Sequence, residues 1–153
     1  MTGMLQKMKG EQEMAGRKEK FEGAVRNRMQ VRLLSLSVNE GMARAAVAAF
    51  CAQENPTATE LADIKCAVSE AVTNCIVHAY HNPDGKISMD LSDQNGILRI
   101  EIKDQGIGIP DVKKAMEPMF TTKPEEERTG MGFSFMEAFM DQVEVISKQG
   151  EGT

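Results

Sequence analysis

Polar and apolar positions alternate over residues 30–36. Val31, Leu33 and Ser35 fall on one face and Arg32, Leu34 and Leu36 on the other, and this period of two predicts a strand. The period then lengthens. Ala43, Ala46, Val47 and Phe50 mark an amphipathic helix over residues 41–53, with Asn39 as N-cap and Arg44 projecting from its start. Asn55-Pro56 breaks it. Thr57 and Glu60 have the spacing of a capping box. They open a longer helix through Leu61, Ile64, Val68, Val72 and Ile76, ending near Tyr80. Asn82-Pro83-Asp84-Gly85 is a turn. Residues 86–92 and 97–103 read as an antiparallel strand pair joined through Asp93-Gln94-Asn95-Gly96. A short helix over 111–117, a polar loop over 118–128, an apolar helix over 133–140 and a strand over 143–147 complete the pattern. The expected fold class is α+β: a two-layer sandwich with a mixed, mostly antiparallel sheet and helices on one face.

Residues 1–28 do not continue this pattern. They are rich in Lys, Glu, Gln, Met and Gly, and Gly3, Gly10, Gly16 and Gly23 interrupt any helix. The expectation is a basic, disordered leader over 1–28 and one domain over 29–153. Met29 is a second candidate start. Residues 1–30 carry seven basic and four acidic side chains, a charge of +3 against −5 for the whole chain, so the remainder carries −8. An acidic body argues against nucleic acid as the main partner. No apolar run approaches the roughly 18 residues that span a bilayer, and the first residues lack a signal-peptide core, so a cytoplasmic protein without a membrane partner is expected. Cys51, Cys66 and Cys75 form no CxxC pair and are expected as buried free thiols.

The long helix carries candidate chemistry. Glu70, Asn74 and His78 are spaced four apart on one face, among the small or apolar residues Ala67, Val68, Ala71, Val72, Cys75 and Ile76. A Glu can act as general base, and an Asn oxygen suits Mg²⁺. A polar helix face meeting water accounts for the same spacing. Further on, Asp104-x-Gly106-x-Gly108 follows a strand. Its carboxylate can accept from an exocyclic amine while the glycines admit a ligand to the backbone, although a plain turn uses the same residues. Gly130-Met131-Gly132 precedes a helix, where free N–H groups can cradle phosphate, and Arg128 upstream can neutralise one. A helix-entry turn explains that glycine pair equally well, and no P-loop occurs.

Taken together and in this order, the three boxes resemble the GHKL ATP-binding fold of Hsp90, gyrase B, MutL and histidine kinases. The blocks Asn39-Glu-Gly-Met-Ala-Arg44, Ser69-Glu-Ala-Val-Thr-Asn74, Phe120-Thr-Thr-Lys-Pro124, Glu127-Arg-Thr-Gly-Met-Gly-Phe133 and Met136-Glu-x-Phe-Met-Asp141 narrow it. They resemble the anti-sigma F family of bacterial sporulation kinases over roughly residues 26–153. The resemblance implies ATP and Mg²⁺ as cofactors. Asn74 would be the metal ligand and Glu70 the catalytic base. Asp104 would bind the adenine amino group. Gly106, Gly108, Gly130, Met131 and Gly132 would line the nucleotide. Thr121, Thr122 and Lys123 would fall in an ATP lid, and Arg128 would meet the γ-phosphate. Arg44 would grip a sporulation sigma factor, and Thr73 lies beside the site. His78 is read as a packing residue. The implied partners are that sigma factor, an anti-anti-sigma factor phosphorylated on serine, and a second copy of the chain docked through the first strand and helix. The only histidines are His78 and His81, and the chain has no room for a phosphoacceptor hairpin, so transfer would go to another protein. The family continues past a Gly-Thr with one more strand, so the chain is expected to lack its last strand. A nucleotide-gated binding module without transfer, a general-stress-type anti-sigma kinase and a purely structural domain are the alternatives.

Overall fold

The computed structural model describes residues 3–8, 26–80, 83–118 and 132–153. Strand β1 (Gly3–Met8) lies inside the stretch expected to be a disordered leader. Strand β2 (Asn27–Leu34) alternates half-buried and exposed positions, as its period-two pattern requires. It begins earlier than residue 30 because its ladder with the next strand runs from Asn27 opposite Asp93 to Leu34 opposite Lys86.

Helix α1 (Val38–Cys51) buries Ala43, Val47, Phe50 and Cys51. Its N-cap is Ser37, without a side-chain cap bond. Asn39, expected at the cap, sits in the first turn, and its amide donates to the Leu34 carbonyl at 2.9 Å, fastening the helix to the end of β2. Helix α2 (Ala58–Asn74) opens on the expected capping box: Glu60 N–H donates to Thr57 Oγ1 at 3.1 Å, and Thr57 N–H donates to Glu60 Oε2 at 2.8 Å. It does not run on as α-helix to Tyr80, but ends in a π-helical turn, Cys75–Ala79. Such turns concentrate at functional sites.

Strands β3 (Lys86–Gln94) and β4 (Ile97–Asp104) are longer than the pattern predicts. The turn between them is only Asn95-Gly96, with positive φ of 54° and 78°, the two-residue hairpin geometry. Helix α3 (Val112–Ala115) is a single turn capped by Asp111. Helix α4 (Gly132–Phe139) leads into strand β5 (Gln142–Val145).

The sheet order is β2-β3-β4-β1-β5, and every described pairing is antiparallel. Ile87, Met89 and Leu91 on β3 and Ile100 and Ile102 on β4 form one buried cluster with Val47, Val68, Val72 and Met136 from the helices. The helices therefore lie on one face of the sheet, as the two-layer reading expected. Burying an aliphatic side chain of this size stabilises the fold by about 1.5–3 kcal/mol, so this face dominates the packing. Cys51 and Cys75 are buried free thiols, but Cys66 is exposed, because position 66 turns away from the core face of α2.

The clearest departure from the sequence pattern is β1. It pairs with β4 from Gly3 opposite Ile102 to Met8 opposite Ile97, and with β5 from Gly3 opposite Val145 to Gln6 opposite Gln142. Strand formation depends on neighbours more than on intrinsic preference, and β4 and β5 flank this position. The segment has weak periodicity of its own, and only the assembled sheet makes it a strand. Among the described residues, no helix is long and apolar enough to cross a membrane.

Candidate functional site

Glu70 and Asn74 sit on the last two turns of α2, both half-buried and on one face. The first residue of α4 closes on them. A Cβ at Gly132 would lie 3.1 Å from Glu70 Oε2 and 3.5 Å from Asn74 Oδ1 and Nδ2. The glycine thus brings bare backbone against a carboxylate and a carboxamide at the N-terminal end of an eight-residue helix. An opening helix presents unpaired N–H groups and a partial positive charge, both suited to phosphate.

Asp104 ends β4 and is buried, with 3% of its surface exposed. Its Oδ1 accepts from the Gly106 N–H at 2.9 Å and from the Thr153 N–H at 3.2 Å. Its own N–H donates to the Thr153 carbonyl at 2.9 Å. A buried carboxylate bonded on one oxygen is fixed in direction. Behind it lies the π turn: burial first, then the charge of Asp104 and a hydrogen bond to it, push the Cys75 thiol well above its ordinary value. Cys75 is therefore a neutral neighbour of Asp104.

The loop after Asp104 needs its glycines for close packing. A Cβ at Gly106 would overlap the Ala79 carbonyl, which accepts from the Ile107 N–H at 2.9 Å. Gly108 has φ of +72°, and a Cβ there would overlap the Lys148 carbonyl. The loop is thereby clamped between the π turn and residues 147–153.

Several members of this arrangement have no signal in the predicted boxes. Tyr80 Oη donates to the Lys86 carbonyl at 2.6 Å and accepts from the Gln105 N–H at 2.7 Å, pinning the loop's first residue. Ser147 Oγ accepts from Ile109 N–H at 2.7 Å and donates to the Gly152 carbonyl at 2.9 Å. Thr153 completes the set through Asp104. The closing Gly150-x-Gly152-Thr153 is the one sequence feature that could have pointed there.

Arg44 projects from α1, half-exposed, with Nε 3.3 Å from Glu40 Oε1. That same Glu40 oxygen accepts from the hydroxyl of Ser69, the neighbour of Glu70. Arg44 therefore stands outside the pocket but is two contacts from its helix. Thr73 and His78 are half-buried on α2 and in the π turn. Thr121, Thr122, Lys123, Arg128, Gly130 and Met131 lie outside the described residues. Of the thirteen residues expected at the site or partner surface, the fold brings Glu70, Asn74 and Gly132 together, sets Asp104 and Gly106 beside the π turn that ends the same helix, and packs Gly108 on Lys148.

The profile of the family described as "Histidine kinase-like ATPase domain" matches residues 35–153. The chain belongs to the histidine kinase-like ATPase family. Relatives at high identity include the anti-sigma F factor of Caldanaerobacter subterraneus subsp. tengcongensis, 56% identical over 127 residues, which are 83% of this chain and 89% of the relative. The anti-sigma F factor of Geobacillus stearothermophilus is 50% identical over 130 residues, 84% of this chain and 89% of the relative. That of Clostridium acetobutylicum is 47% identical over 127 residues, with 83% and 89% coverage.

A histidine kinase-like ATPase domain implies ATP binding, and the arrangement fits a nucleotide. Asp104 supplies a directed acceptor in a buried niche beside Cys75, and Gly132 opens a backbone cradle against Glu70 and Asn74 on the preceding turns of the helix. Mg²⁺ takes one or two side-chain oxygens and completes its shell with waters and phosphate oxygens. Asn74 Oδ1, beside the carboxylate of Glu70, fits that donor requirement.

Proposed function

We propose that this chain is an anti-sigma factor and an ATP-dependent serine kinase. With ATP bound, it holds and silences a sporulation sigma factor, and it phosphorylates a serine of an anti-anti-sigma antagonist. The observation that carries the reading is the convergence of Glu70, Asn74 and Gly132: a base, a metal-binding amide and an open helix start at one point. Phosphoryl transfer asks mainly for positioning and charge neutralisation, with a base near the acceptor hydroxyl. Glu70 would take the proton as the serine Oγ bonds to the γ-phosphorus and the bond to the β,γ-bridging oxygen breaks, leaving ADP. Mg²⁺ held through Asn74 would supply neutralisation of the phosphate charge. Asp104 would orient the base of the nucleotide through its amino group.

Partner contacts are assigned to the outer surface of α1. Val38 is 74% exposed and Met42 59%, next to half-exposed Leu34 and the Arg44 guanidinium. Exposed apolar residues ringed by charge suit a protein interface. β2 is also at one end of the described sheet order, and a second copy could pair there. The relatives at 47–56% identity are anti-sigma F factors, which supports the sigma-factor reading.

The test is the intact mass of a candidate anti-anti-sigma protein after incubation with this chain and Mg-ATP, beside Glu70→Ala. The expected gain is one phosphate, about 80 Da, absent with the variant while ATP binding persists. Transfer by Glu70→Ala at the wild-type rate would remove Glu70 from the role of base. ATP binding without any transfer would favour a nucleotide-gated binder.

A further inference from the structure

Three consecutive backbone amides follow Asp104, and each has its own acceptor. The Gln105 N–H donates to Tyr80 Oη at 2.7 Å, the Gly106 N–H to Asp104 Oδ1 at 2.9 Å and the Ile107 N–H to the Ala79 carbonyl at 2.9 Å. The first and last acceptors belong to neighbours in the chain, Tyr80 and Ala79, where the π turn ends. The middle acceptor is the carboxylate itself. The amide that sets the direction of Asp104 is therefore held on both sides by one short segment.

The Tyr80 hydroxyl also occupies a particular place in the sheet. The β3–β4 ladder ends with Ile87 opposite Asp104, and its register would next set Lys86 opposite Gln105. Tyr80 Oη lies between these two residues, donating to the Lys86 carbonyl at 2.6 Å and accepting from the Gln105 N–H. A side-chain hydroxyl thus stands where the next rung would form. Both backbone groups keep a partner while the strands part, and the ladder stops at Asp104. The ring lies against Gly85, where a Cβ would come within 2.3 Å of Tyr80 Cγ and Cδ2. Position 85 has to be bare for the hydroxyl to reach the gap.

We propose that Tyr80 is a positioning residue for nucleotide recognition: its hydroxyl ends the ladder at Asp104, aims the carboxylate and so sets a preference for adenine over guanine. Adenine carries an amino donor where guanine carries a carbonyl acceptor. A carboxylate fixed in direction accepts from the first and repels the second, whereas one free to turn discriminates less. Tyr80 acts through Gln105 and Gly106, on the reading that Asp104 accepts from the adenine amino group, and needs no contact with the nucleotide.

The experiment measures, by calorimetry with Mg²⁺ on the full chain, the affinities for non-hydrolysable analogues of ATP and GTP. Wild type is compared with Tyr80→Phe, Gly85→Ala and Asp104→Asn, each checked for folding by circular dichroism. Tyr80→Phe keeps the ring and removes the hydroxyl, and Gly85→Ala keeps the hydroxyl and displaces the ring. Wild type is expected to prefer the ATP analogue. Tyr80→Phe and Gly85→Ala are each expected to lose about three- to tenfold of that preference, the effect of a single hydrogen bond. A tyrosine that only braced the fold would weaken both analogues alike. Equal weakening, or an unchanged ratio in either folded variant, therefore overturns the positioning role. Asp104→Asn tests the reading beneath it. An amide can present an N–H to the guanine carbonyl, so this variant is expected to lose the preference. If it does so while Tyr80→Phe does not, Asp104 selects adenine without Tyr80. If wild type takes both analogues alike, or Asp104→Asn keeps the preference, neither Asp104 nor Tyr80 sets the choice of base.

Discussion

Gly132 is the residue on which the site closes. Its missing side chain leaves α4 free to approach Glu70 and Asn74, with a notional Cβ already 3.1 Å from the carboxylate. Gly132→Val would push a branched side chain into that approach. ATP affinity is expected to fall about tenfold or more, a loss of about 1.4 kcal/mol, with the circular dichroism spectrum unchanged. Titration with a fluorescent ATP analogue checks this, and wild-type affinity would mean that the cradle does not receive the nucleotide. Asp104 invites a complementary change. Asn in its place keeps an acceptor for the Gly106 and Thr153 amides but loses the charge. A hydrogen bond to a charged group contributes about 1.5–3 kcal/mol, so Asp104→Asn is expected to weaken ATP binding by roughly 10- to 100-fold. Both residues stand out in the sequence by their boxes. Tyr80, Ser147 and Thr153, which brace them, do not, because each acts through a backbone group far away in the chain.

Among the elements, the β2–β3 pair carries a titratable link. Arg28 Nη2 donates to Asp90 Oδ2 at 2.5 Å and its Nε to Oδ1 at 3.0 Å, while Gln30 Nε2 donates to Oδ2 at 2.5 Å. The hydrogen bond from Arg28, then that from Gln30 and the charge of Arg28, outweigh desolvation and hold the Asp90 carboxyl below its ordinary 3.8. A carboxylate whose folded value is depressed adds stability above its unfolded value, and that stability is lost as pH falls through the folded one. Wild type should therefore lose more of its melting temperature between pH 6 and pH 3 than Arg28→Ala does. The pair is solvent-exposed, so the difference should shrink in high salt. Parallel loss in both proteins would show that the pair does not contribute. The elements themselves follow local rules where those rules are strong. The Thr57–Glu60 capping box and the Asn95-Gly96 turn both form as their sequences require. Asn39 shows the limit, since its amide is used by β2 instead of by the helix cap.

For the whole molecule, stability concentrates in the layer between helices and sheet. Ile100 is fully buried on β4, among residues from α1, α2 and α4. Ile100→Ala is expected to cost about 2–5 kcal/mol by chemical denaturation, a large share of the roughly 5–15 kcal/mol typical of a folded domain. A cost below about 1 kcal/mol would mean that the layer relaxes around the cavity and is not close-packed.

The alternation of β2, the helical period of α1 and α2, the hairpin of β3 and β4 and the order of Glu70-Asn74, Asp104-Gly106-Gly108 and Gly132 were legible in the sequence alone. Each is a local pattern, set by side-chain spacing or turn chemistry within a few residues. Tertiary structure alone decided the place of Gly3–Met8, the π turn at Cys75–Ala79 and the clamp of Ser147, Thr153 and Tyr80 around Asp104. A strand with weak periodicity takes its conformation from the edges it pairs with, and hydrogen bonds across 25, 38 and 49 residues leave no trace in local composition. Those contacts form only once packing against the helical layer has brought β4, β5 and the π turn together.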